Sequence, residues 1–181
     1  SSHKILLRGG VSTKYSYIKN EFVVGEGLME AYKLESNFAI TPRIILSKEL
    51  TDNSQFMEGL KFTSNKMYGG KRLIKRADDG YFYIDYIGYS LSVETQSKVM
   101  EKVAIQNLGA VGYQYQQKQH IETNNTLLRL HKEAIEDMYR FLQLKEDSEH
   151  YSHILEKYTW IKNYHNNHIK ENRKIFKINE D

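Results

Sequence analysis

The chain has 181 residues, with 26 Lys or Arg against 23 Asp or Glu and a formal net charge of +3, too even a balance to argue for nucleic acid by itself. Hydrophobic residues make up 40%, which is adequate for a core and excludes wholesale disorder. There is no Cys, so disulfides and thiolate metal sites are excluded, and no apolar run approaches the roughly 20 residues that span a bilayer.

The first predicted element is a strand over residues 4–8, KILLR. Gly9 and Gly10 follow, and they allow another backbone or a ligand to approach closely. VSTKYSYI continues as an extended segment with β-branched and aromatic residues. Asn20 and Glu21 mark a turn, and FVV is a short strand. Residues 25–38 read as a helix that places Leu28, Ala31, Tyr32 and Glu35 on one face. Thr41-Pro42 ends it, because the residue before a proline avoids helical dihedrals. RIILS is a buried strand, and Lys48 to Glu58 form a short helix. KRLIKR-ADDG-YFYIDYI is the clearest hairpin, since Gly80 tolerates the positive φ of a tight turn.

The character changes after Gly88. Residues 90–108 read as helical, and 109–119, GAVGYQYQQKQ, as a linker of uncertain form. From residue 121 Leu127, Leu130, Ala134, Met138 and Phe141 or Leu142 follow helical steps. A second helix is predicted from Asp147 to Lys174, with Tyr151, Ile154, Leu155, Tyr158, Ile161, His165, His168 and Ile169 as its stripe. The short QLKEDS between them suits an antiparallel pair. The layout is therefore an α+β domain over 1–88 and a helical extension over 89–181.

Several residues invite functional readings. Gly25-Glu26-Gly27 precedes a helix N-terminus, where anions are favoured, but Glu26 would repel a phosphate and neither nucleotide-loop spacing is met; a plain turn with a capping acid is the simpler reading. Lys33 could contact phosphate or pair along the helix with Glu30. Arg8 is a charge in an apolar strand and needs an acid such as Glu35. Asp78 and Asp79 are explained by the hairpin turn. His150/His153 and His165/His168 have chelate spacing, but lie roughly 18 Å apart along one helix and cannot share an ion; packed histidines are the simpler reading. Lys71, Arg72, Lys75 and Arg76 alternate on an edge hairpin.

The string RGGVS, the segment GEGLMEAYKLES and the strand PRIILS together resemble the second half of the class III nucleotidyl cyclase domain. That family has a strand of form R-x-G-I-x-x-G, a Gly-Asp-Thr-Val-Asn-x-Ala-x-Arg-Leu helix and a strand P-x-x-I-x-V-S. Arg8, Gly10 and Val11 match the first, Gly25, Ala31, Leu34 and Glu35 the second, and Pro42, Ile45 and Ser47 the third. The resemblance covers about residues 4–48 and is nearest to small bacterial proteins that include the Pycsar-type cyclic-pyrimidine cyclases of antiphage defence.

The resemblance implies a partial ferredoxin-like sheet with packed helices, followed by a C-terminal helical hairpin. It implies conversion of a nucleoside triphosphate to a 3′,5′-cyclic nucleotide by a homodimer; a cytoplasmic location without membrane or nucleic-acid partners is expected instead from the absence of Cys, the lack of a spanning apolar run and the near-even charge. Gly9 and Gly10 would lie near the nucleotide, with Phe22, Gly25 and Met29 lining it and Lys33 in the place of the family's phosphate-stabilising Arg. The Mg²⁺ or Mn²⁺ ligands of the family belong to a first half that would precede residue 1, so the chain is expected to be part of a longer domain. Met29 stands where the family has a ribose-orienting Asn, Phe22 at the base-reading position and Lys14 at the last Gly of the strand motif. Lys33 keeps a charge but loses the planar fork of Arg. Two options remain open: a divergent cyclase, or a cyclase-fold module used for binding or assembly without catalysis.

Overall fold

A computed structural model describes residues 6–67, 73–95, 98–144 and 150–179. The chain divides into two units, Leu7–Val103 and Ala104 onward. Among the described residues no helix is long and apolar enough to cross a membrane.

The first unit is a mixed α+β structure. Its strands β1 (Gly9–Val11), β4 (Ile44–Leu46), β5 (Ile74–Arg76) and β6 (Phe82–Ile84) form one sheet in the order β1-β4-β6-β5. Strands β2 (Tyr17–Lys19) and β3 (Phe22–Val24) form a separate two-stranded hairpin. Helix α1 (Glu26–Asn37) connects β1 to β4, which pair in parallel with Gly9 opposite Ile44 and Val11 opposite Leu46. They are immediate neighbours; in the split βαβ of a ferredoxin-like sheet another strand stands between the two. β6 is antiparallel to both β4 and β5. The core sits between α1 and the sheet, where Leu34, Ala39 and Ile45 are buried against Phe38, Tyr81 and Tyr83.

Two boundaries differ from expectation. Among the described residues the first strand begins at Gly9, with residues 6–8 outside it, because ladder bonding starts with the Gly9 N–H donating to the Arg43 carbonyl; residues 4 and 5 of the predicted strand lie outside the described residues. The predicted helix 48–58 is two helices, α2 (Lys48–Asp52) and α3 (Ser54–Met67). Asn53 separates them with extended dihedrals, and its Oδ1 accepts from the Phe56 N–H at 3.1 Å, so it caps α3. The β5–β6 hairpin turns where predicted, with Gly80 at φ 86°; Lys71 and Arg72 lie outside the described residues. Helix α4 (Tyr86–Ser92) follows, capped by Asp85 accepting from the Gly88 N–H.

Helix α5 runs from Lys98 to Gln143, with non-helical dihedrals at Gly109 (φ 71°, ψ 166°). The segment read as a linker is therefore helical beyond that glycine. In the second unit α5 packs with α6 (Tyr151–Asn166), and Tyr139 stacks on Tyr158 at 5.1 Å. The buried seam of α5 is Asn124, Leu128, His131, Ala134, Ile135 and Leu142; Ala134 and Leu142 of the predicted stripe belong to it, Leu127, Leu130 and Met138 are half-buried beside it and Phe141 is exposed. On α6, Tyr158, Ile161 and His165 are buried as the stripe requires. The helix stops at Asn166 rather than at residue 174, and a 3-10 segment occupies Glu171–Phe176.

Candidate functional site

The positions singled out by the sequence lie on β1, on the β2–β3 hairpin and on α1. Their arrangement follows from how closely α1 is seated. A Cβ at Gly10 would fall 2.4 Å from the Ala31 carbonyl oxygen and 2.6 Å from Leu34 Cβ. Gly10 is therefore filled from above by the helix. Gly9 is different: a Cβ there would meet only Ile44 side-chain atoms, at 3.9 Å or more.

The loop between β1 and β2 wraps the start of α1. Gly25 sits at φ 134°, a conformation open essentially to glycine alone, and a Cβ on it would meet the Tyr15 carbonyl at 2.7 Å. The Gly27 N–H donates to that same carbonyl at 3.0 Å. One of the N–H groups that a helix start offers to an anion is thus already used. Ser12 Oγ is hydrogen-bonded to Glu30, and Lys14 Nζ lies 3.9 Å from the other oxygen of that carboxylate. Glu30 is therefore engaged by the loop and not by Lys33. Arg8 pairs with Glu35, its Nε 2.5 Å from Oε1, while its Nη2 donates to the Glu35 carbonyl at 3.0 Å. That is the acid partner the strand charge called for.

Met29 and Lys33 occupy the outer face of α1. At 100° per residue they lie about half a turn round from Ala31 and Leu34, which face β1. Met29 is 73% exposed, and Lys33 is exposed and enters no ion pair among the described residues. Phe22 on β3 is 76% exposed. The chain thus brings Gly25, Met29 and Lys33 onto one helix and Phe22 onto the hairpin that leads into it. It places Gly10 on the opposite side of that helix from Met29 and Lys33.

What the outer surface does collect is apolar area. Both strands of the β2–β3 hairpin are exposed throughout. Tyr15, Ile18, Phe22, Met29 and Tyr32 are all 69% or more exposed, and Tyr17, Val23, Val24 and Leu28 are exposed beside them in the sequence. Monomeric proteins rarely leave so many large apolar side chains uncovered in one short stretch.

Among the described residues no group of three or more His, Asp or Glu side chains is placed to hold a metal ion. The donor set does not fit one either: Glu30 is held by Ser12 and Lys14, and Asp79 forms a bidentate pair with Arg43, itself only 4% exposed. Asp85, 2% exposed, is engaged by the Gly88 N–H and by Lys75 Nζ at 2.8 Å. The phenols beside it are pushed up, Tyr83 and Tyr86 by burial first and by the Asp85 charge second. Each of these ion pairs joins a buried partner, Arg43 or Asp85, to a more exposed one; the sequence does not show them because the two Asp residues already have a sufficient local role, Asp79 in its turn and Asp85 as a helix cap. A groove of about 570 Å³ lies between α3 and β5–β6, apolar along Leu60, Leu73, Ile74 and Phe82 and touched by Lys61 and Arg76; of the residues singled out in the sequence it contains Arg76 alone, and none that the cyclase resemblance assigns.

Searches of family models, of curated proteins and of solved structures return no match to this chain.

Proposed function

We propose that this chain is part of a class III cyclase-like protein, and that the β2–β3 hairpin with the outer face of α1 is the surface on which two copies meet beside a nucleoside triphosphate. The observation that supports it is the run of exposed apolar side chains from Tyr15 to Tyr32. An isolated two-stranded hairpin with neither face covered is marginal in water. Burying it against a second hairpin would remove about 25 cal/mol of unfavourable exposure per Å² of apolar surface. In that assembly Phe22 and Met29 offer apolar contacts to a base or to the partner copy, and Lys33 offers an ammonium to phosphate. The metal ligands would come from residues other than these, so no step of cyclisation is assigned to the side chains described.

A second reading is favoured by one observation: Met29 and Lys33 lie on the opposite side of α1 from Gly10. If phosphate contact needs both sets, this chain is an assembly module that does not catalyse. Equilibrium binding separates the two. The cyclase reading predicts that at least one of ATP, GTP, CTP and UTP binds with Mg²⁺ or Mn²⁺ present. Lys33→Glu is predicted to weaken it by at least tenfold through charge reversal at the phosphate. Failure of all four nucleotides at millimolar concentration would overturn the nucleotide reading and leave assembly alone.

A further inference from the structure

The second unit buries two histidines against each other. His131 on α5 is 2% exposed and His165 on α6 is fully buried. Their Nδ1 atoms are 3.0 Å apart and their rings are stacked at 5.1 Å. His165 Nε2 lies 2.9 Å from the carbonyl oxygen of Phe176. A carbonyl only accepts, so His165 Nε2 carries the proton and the Nδ1 of the neutral ring is bare. The proton between the two Nδ1 atoms must then be that of His131. The result is a directed chain, His131 N–H to His165 and His165 N–H to the Phe176 carbonyl, with both rings neutral.

The carbonyl at its end belongs to the C-terminal segment, and that segment is pinned at several points. Asn166 donates from Nδ2 to the Ile178 carbonyl at 2.8 Å and accepts from the Ile178 N–H at 2.9 Å. Lys132 Nζ donates to the Ile175 carbonyl at 3.1 Å, and Arg173 Nε to Asn125 Oδ1 at 2.9 Å. Ile178 itself is buried. Glu171 and Lys174 pair with each other in solvent.

The charges that bear on the rings come from both helices. His168, in the turn just after α6, meets Tyr164 edge-on at 5.1 Å, and Tyr164 in turn lies edge-on to His131. Lys132 on α5 is 3.7 Å from Glu136, which offsets its charge in part. Burial holds His131 down to about 3, with His165 and His168 acting in the same direction. Burial also lowers His165, reinforced by His168 and Lys132 and opposed by the hydrogen bond to Phe176.

We propose that the His131–His165 pair is an acid-released latch, in which proton uptake by the two rings frees the C-terminal segment Glu171–Ile178 from α5 and α6. One added proton leaves an imidazolium without water. A second sets two N–H groups against each other across 3.0 Å, with no acceptor between them. Hydrating the rings requires removing their cover, and the segment that ends the hydrogen-bond chain is the part of that cover held only by side chains. In the open form the rings titrate near the ordinary histidine value of about 6.5; in the closed form they titrate lower. The open form therefore binds more protons below about pH 6.5, and closure weakens as pH falls through that range; above it both forms are neutral and pH has no effect. With both rings taking part, the opening constant rises about 100-fold between pH 7.5 and 5.5.

Amide hydrogen exchange on the full chain, corrected for the intrinsic pH dependence of exchange, reads this directly. The Lys177 and Ile178 amides are expected to lose protection about 100-fold across that range, while Ile161 in the middle of α6 stays protected. The doubly substituted His131→Gln/His165→Gln chain is expected to show no such dependence. Imidazole ¹⁵N spectra of the unsubstituted chain give a readout that needs no variant to fold: His131 protonated at Nδ1, His165 at Nε2, and both neutral down to pH 5.5. A flat exchange profile at Ile178, loss of Ile161 and Ile178 protection together, or a ring titrating near 6.5 in the closed form would each overturn the latch.

Discussion

At Gly10 a hydrogen in place of a methyl sets how near α1 comes to β1. The obstacles a Cβ would meet are a carbonyl oxygen and the Leu34 Cβ, neither of which can swing away. Gly10→Ala is predicted to destabilise the first unit by about 1–3 kcal/mol through overpacking, whereas Gly9→Ala leaves stability within about 0.5 kcal/mol. Thermal denaturation of the two variants checks the pair; equal losses at both would mean that the glycines serve something other than helix seating. Other residues were legible to different degrees. Arg8 announced its need for an acid because it stands beside apolar neighbours, and Glu35 supplies it. Arg43 was not noticed, since its partner Asp79 is 36 residues away and already had a reason to be in a turn.

Elements were read well where one residue type dominates and less well where a single polar side chain intervenes. The span 48–58 is broken by Thr51-Asp52-Asn53-Ser54, residues that favour caps over helix interiors, and the Asn53 side chain makes the break by taking the Phe56 N–H. Asn53→Ala removes that cap and is predicted to cost about 1 kcal/mol, read as a lowered denaturation midpoint with an unchanged denaturant slope. On α5 the apolar stripe pointed to Leu127 and Leu130, but the buried seam contains Asn124 and His131. Hydrophobic periodicity cannot find a seam whose centre is polar. The end of α6 was overrun for a related reason: Asn166 stops contributing to the helix pattern because its side chain binds Ile178 instead.

Over the whole molecule the mixed α+β character was visible from the apolar patterning and the turn signals, while strand order was not. That β1 and β4 are direct neighbours depends on which strands are present to pair, and local sequence carries no information on that. The same holds for the exposed hairpin. Its residues look like an ordinary strand pair, and only the three-dimensional arrangement reveals that neither face is covered. An apolar surface of this kind is stable in water when something is placed on it, and a second copy of the chain supplies the matching surface by symmetry. The most direct measurement is sedimentation velocity on the full chain beside Ile18→Lys and Phe22→Lys variants, which change only exposed positions. The account predicts a dimer for the unsubstituted chain and folded monomers for both variants, with no more loss of thermal stability than the loss of association itself brings. A monomer at every micromolar concentration tested, or a dimer indifferent to both substitutions, would contradict it.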